Sequence, residues 1–127
     1  KKTYRDSFLE SQVKSHIAYQ VQALRKKSNL SQKEFGKKIG KPQNVVSRLE
    51  DTLYGAVSVS TLLKIAQEND VALVIKFAAY PDFLEETTDM SDEALEVPTI
   101  YESLLLPDCR GTGYPDGNYP TSVPTPS

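Results

Sequence analysis

Between Gln43 and Arg48 stand two carboxamides, a hydroxyl and a guanidinium: Gln43, Asn44, Ser47 and Arg48, interrupted only by Val45 and Val46. Asn and Gln can bond adenine N6 and N7 bidentately, and Arg can do the same with guanine O6 and N7. Such residues are also ordinary soluble surface, so the elements that carry them decide. Enzymatic chemistry finds less footing, and no catalytic residue is expected. Glu85, Glu86, Asp89, Asp92 and Glu93 run without basic or histidine partners, the pattern of a solvated acidic segment. His16, the single histidine, has no Cys or Asp at catalytic spacing and is read as topping a surface turn. The single cysteine, Cys109, excludes an intrachain disulfide and has no shell to support a reactive thiol. One His and one Cys are too few soft ligands for a structural zinc site, so neither metal nor cofactor is expected. Gly111-Thr112-Gly113 is too short for a phosphate loop and follows no strand.

The elements around Gln43–Arg48 are legible. Val13, Ile17, Val21 and Leu24 are spaced by four, four and three, one face of a long first helix that also carries Phe8. Asn29 and Leu30 break it. Ser31-Gln32-Lys33-Glu34 then reads as a capping box, with Leu30 and Phe35 as the matching hydrophobic staple. Phe35 and Ile39 form the buried stripe of this second helix, and Gly40 ends it where a positive φ is needed. A third helix starts at Pro42, whose fixed φ suits a first turn. Its Val46 and Leu49 face inward, which turns Gln43, Asn44, Ser47 and Arg48 outward. A loop over 51–55 and a fourth helix over about 58–68 follow, with Leu62, Ile65 and Ala66 inward. Val71-Ala72-Leu73-Val74-Ile75-Lys76-Phe77 is β-branched and aromatic, and reads as a strand with Val71, Leu73, Ile75 and Phe77 on one face. Two helices joined across Gly40, the second presenting polar side chains outward, are what reading a DNA major groove requires.

Charge divides the chain. Residues 1–80 hold 14 Lys/Arg against 7 Asp/Glu, whereas residues 81–127 hold one Arg against 10 acids. A basic domain with an acidic extension suits a polyanion partner. Three regions are expected. Residues 1–80 form the organised domain. Residues 81–106 are an acidic, partly ordered extension in which Ser91 caps a short helix through Leu95 and Pro98 stops it. Residues 107–127, rich in Pro and Gly, bury too little apolar surface to offset their ordering entropy and are expected to be disordered. No apolar run approaches the roughly 20 residues of a membrane helix, and Lys1–Arg5 lead into a charged stretch without the apolar core of a signal peptide. The expected setting is the cytoplasm.

The stretch Leu24–Gly40, continuing through Lys41–Glu50, resembles the phage-repressor-type (Xre/Cro-like) helix-turn-helix regulators. Gly36 stands where that family wants a tiny residue, usually Ala, and Gly40 stands in its turn. Pro42 replaces the usual Ser or Thr cap. The resemblance implies a mainly α fold: a five-helix repressor-like domain with a C-terminal β-strand. It implies that Gln32 clamps a phosphate and that Gln43, Asn44 and Arg48 read bases, with Ser47 a weaker candidate. Val45 stands beside them, either against a thymine methyl or in partial burial. Lys41 and the Lys37-Lys38 pair are either phosphate contacts or solvated charge. Arg25 and Glu50 occupy the positions of the family's partly buried ion pair, which belongs to fold integrity. Ser47–Asp51, Tyr54-Gly55, Ser60-Thr61-Leu62 and a strand ending at Phe77 are similar to one bacterial subgroup, whose members commonly pair that strand with a second subunit's.

A lone strand cannot satisfy its own backbone groups, so a homodimer contact at Val71, Leu73, Ile75 and Phe77 is expected on physical grounds too. The alternative is an extended tail packed on its own helices. The function implied is a repressor that binds double-stranded DNA at a palindromic operator as a homodimer. The rival is an antitoxin whose residues 81–106, acidic with apolar anchors Phe83, Leu84, Ile100, Tyr101 and Leu104–Leu106, fold onto a toxin protein.

Overall fold

The computed structural model describes residues 1–105. The 107–127 stretch, with Cys109, lies outside them. Helix α1 spans Lys2–Lys27, longer than its apolar stripe demands. Its first half is exposed and supported by i,i+4 ion pairs, Lys2 with Asp6 at 2.6 Å and Glu10 with Lys14 at 2.7 Å. Ala18, Val21 and Ala23 are the residues of α1 that become buried, whereas Phe8 and Val13 remain partly exposed. Asn29 leaves the helix at φ +56°, and Leu30 packs on the core.

Helix α2 covers Gln32–Ile39 and begins on the expected capping box. The Glu34 N–H donates to Ser31 Oγ at 3.2 Å, and the Ser31 N–H donates to Glu34 Oε1 at 3.0 Å. Gly40 closes α2 at φ +71°, a left-handed conformation that favours glycine. Helix α3, Gln43–Leu49, starts one residue after Pro42, which is its N-cap. Gly36 makes the α2–α3 crossing possible. A Cβ placed there would lie 2.5 Å from the Lys41 carbonyl oxygen and 3.4 Å from Val46 Cγ2. Helix α4, Val59–Glu68, is capped by Ser58, whose Oγ accepts the Thr61 N–H. Val21, Phe35, Ile39, Val46, Leu49 and Ile65 enclose the core, with Phe35, Ile39 and Val46 essentially inaccessible.

Beyond α4 the structure departs from expectation. Residues 71–79 carry no regular secondary structure, and no strand forms among the described residues. A ladder needs a second paired segment, and no strand is formed by any described residue; the Val71 N–H closes back on the Ala66 carbonyl at 3.1 Å instead. The four side chains placed on one apolar face also separate. Val71 and Leu73 are half-buried against the chain's own helices, whereas Ile75 is 65% exposed and Phe77 fully exposed. The helix count differs as well. Four helices precede residue 71, and α5 (Tyr80–Thr88), α6 (Asp92–Leu95) and α7 (Ile100–Leu105) follow in the acidic region. Ser91 caps α6 as its sequence predicts.

This acidic region folds back along α1. Gln12 Nε2 donates to the Thr87 carbonyl at 2.8 Å, and Lys27 Nζ donates to the Val97 carbonyl at 2.8 Å and pairs with Glu102 at 3.1 Å. The Ile100 N–H donates to the Asp70 carbonyl, and Leu95 is buried. His16 is half-buried near Glu86 rather than topping a surface turn, because α5 covers it. An open apolar groove of about 640 Å³ remains between α1, α4, the 71–79 segment and α5.

Candidate nucleic-acid interface

The α2–Gly40–α3 unit is a rigid platform, because its inner side chains Phe35, Ile39, Val46 and Leu49 are all buried in one cluster. Burying Val46 and Leu49, three apart, fixes the rotation of α3 about its axis. Gln43, Asn44, Ser47 and Arg48 are all exposed as a result, with Gln43 above Ser47 and Asn44 above Arg48 at i,i+4 spacing. The structure brings these four expected residues onto one face. Val45 lies at the edge of that face and is half-buried against the core cluster.

The ion pair behind the platform has the geometry its positions imply. Arg25 Nε donates to Glu50 Oε2 at 2.6 Å and its Nη2 to Glu50 Oε1 at 2.9 Å, while Nη1 reaches the Leu30 carbonyl at 3.0 Å. The Arg25 side chain is 15% exposed and that of Glu50 5%. The hydrogen bond to Glu50 raises the Arg25 pKa above its ordinary value, burial opposing. A bidentate, largely dry pair of this kind ties the end of α1 to the end of α3.

The remaining candidates divide. Gln32 is half-buried, and its Nε2 lies 3.4 Å from Glu50 Oε1, a long hydrogen bond that holds it beside the ion pair at the start of α2. Lys41 is exposed in the turn before α3. Lys37 is exposed too, but Lys38 donates to Asn69 Oδ1 at the end of α4, so its ammonium is tied to that helix. Tyr54, placed by the sequence in the 51–55 loop and in the subgroup pattern but given no role there, stands beside this face. The Arg48 guanidinium carbon lies 5.9 Å from the Tyr54 ring centroid. The one signal available was an aromatic six residues after an outward arginine and next to a turn glycine, which is weak.

Among the described residues no group of His, Cys, Asp and Glu could hold a metal ion, and no helix is long and apolar enough to cross a membrane. What the face offers is hydrogen-bond donors and acceptors on a fixed helix, the requirement for direct base readout. The helix-turn-helix family model matches residues 21–75, which run from the buried part of α1 through α4 into the 71–79 segment. No curated protein and no solved structure matches the chain. The match and the α2–Gly40–α3 geometry agree, and together they support the similarity of residues 21–75 to the phage-repressor-type helix-turn-helix regulators, which bind DNA.

Proposed function

We propose that this chain is a repressor that binds a palindromic operator as a homodimer, reading bases with Gln43, Asn44 and Arg48. The observation that carries this reading is the outward face of α3, four polar side chains fixed by the burial of Val46 and Leu49. One such unit contacts too few base pairs to find a site among ~10⁶–10⁹ genomic competitors, so a second unit is needed. Exposed Ile75 and Phe77, on a non-helical segment without a ladder partner among the described residues, favour that segment as the contact. Two copies would pair their 71–77 segments and set their α3 helices about 34 Å apart, one turn of DNA.

Selection from a random duplex pool, combined with sedimentation, tests this reading. The expected products are a palindromic enriched sequence and a dimer at micromolar concentration. Adjacent N–H groups point to opposite edges of a strand, so Val74→Pro and Ile75→Pro probe the two edges separately. One of them should yield a helical monomer that keeps only weak, salt-dependent DNA binding. A wild-type monomer that binds its enriched duplex tightly would contradict the dimer.

A second reading rests on α7, where Ile100, Tyr101, Leu104 and Leu105 are all exposed. An antitoxin would cover that apolar face with its toxin. Co-purification with the product of an adjacent reading frame, lost in a Leu104→Asp variant, would favour it.

A further inference from the structure

We propose that Tyr54 is a positioning residue for Arg48, holding its guanidinium by stacking so that it meets a guanine already aimed. This inference rests on the reading of α3 as the base-reading helix. The Arg48 guanidinium carbon stands 5.9 Å from the Tyr54 ring centroid, within cation–π range. Among the described residues no carboxylate lies within ion-pair distance of Arg48, in contrast to Arg25. That difference matters chemically. A carboxylate would consume the in-plane N–H donors of the guanidinium, whereas a ring uses only its face and leaves those donors for a base edge. Stacking and bidentate readout are therefore compatible, and pairing with an acid would not be.

The loop that carries Tyr54 is itself fixed. The Asp51 carboxylate accepts the Leu53 N–H at 2.9 Å, and the Tyr54 N–H donates to the Asp51 carbonyl at 3.2 Å. Gly55 turns the chain at φ +63° beside the aliphatic stem of Lys14, and Val57 then packs on the core. The backbone that carries the ring is thus held on both sides, while Tyr54 itself is 43% exposed. An arginine with four free torsions loses them on binding; one held against a ring has lost part of that freedom beforehand.

The test uses the full chain, its enriched duplex, and duplexes changed at single base pairs. In the free protein, the Arg48 side-chain protons should show a ring-current upfield shift that disappears in Tyr54→Leu and persists in Tyr54→Phe. On DNA, Arg48→Ala should abolish preference at one base pair. Tyr54→Leu should reduce preference at that same base pair about two- to five-fold, with other positions and the salt dependence unchanged. Tyr54→Phe should restore it. Tyr54→Leu with undiminished preference, or with equal loss on every duplex, would overturn the positioning role while the α3 reading stands. An Arg48→Ala variant with unchanged preference would instead overturn the α3 reading, and the positioning role with it.

Discussion

Residues 17–70 and residues 71–105 solve the burial problem in opposite ways. In the first region every large inward side chain finds a partner inside the chain, and Phe35, Ile39 and Val46 are lost to solvent altogether. In the second, Leu95 and Thr87 are the buried side chains, while Val74, Ile75, Phe77, Tyr101, Leu104 and Leu105 stand largely exposed. The first region is complete as one copy. The second has the composition of a packed element and the exposure of an unfinished one, the combination found at interaction surfaces. A platform for DNA must be rigid before DNA arrives, whereas a contact for a partner can wait for it.

If that contrast is right, substitutions should grade from severe in the first region to mild in the second. The largest effect is expected from Glu50→Ala, which strands the nearly buried Arg25 guanidinium at a cost of about 3–5 kcal/mol in a urea melt. Replacing both partners with apolar residues should cost less than the single change. Gly36→Ala comes next. Helix propensity alone would favour Ala by about 1 kcal/mol, but the new Cβ meets the backbone oxygen of Lys41 at 2.5 Å. The turn must shift, and a net loss of about 1–3 kcal/mol is expected in the same melt. Ser31→Ala should cost about 1 kcal/mol by removing one arm of the capping box. At the other end of the scale, Phe77→Ser should change monomer stability by less than about 0.5 kcal/mol, because the ring touches solvent on all sides. Equal losses in the two regions would erase the distinction.

Acid sharpens the comparison at two places. Backbone and side-chain hydrogen bonds with Ser31 hold the Glu34 carboxyl below its usual range. That contribution is present above the unfolded carboxylate value and is lost as pH falls through the lower folded one. His16 lies on the seam where α5 covers α1. Burial lowers its pKa, with Glu86 opposing. The unfolded chain therefore takes up the proton first, and stability should decline as pH drops below about 6.5. His16→Gln should flatten the decline below about pH 6.5 in melts followed by circular dichroism, whereas Glu34→Gln should flatten the loss at lower pH.

The same contrast explains what could be read beforehand. Local signals determine the first region: Ser31 and Glu34 for the cap, Gly40 for the turn, and Val46 with Leu49 for the rotation of α3. Those signals act within four residues of one another, so a one-dimensional pattern contains them. The Arg25–Glu50 pair is separated by twenty-five residues and entered only through resemblance. The 71–77 segment has strand-like composition, yet a strand is a property of two segments, and composition cannot supply the second. The return of 80–105 along α1 depends on single long-range bonds such as Gln12 to Thr87, which leave no periodic trace. Tyr54 was hidden for the same reason, since its partner is met across a loop.

The most direct test of the account is the affinity ratio between the enriched duplex and a scrambled one, measured at ~0.15 M salt for wild type and Arg48→Ala. A face that reads bases should give wild type a ratio of roughly 10³ or more. Arg48→Ala should lower that ratio about 5- to 150-fold, the equivalent of ~1–3 kcal/mol, and leave scrambled binding nearly unchanged. An equal fall on both duplexes, with the ratio intact, would show that Arg48 serves only the phosphates and would contradict base readout by this face of α3.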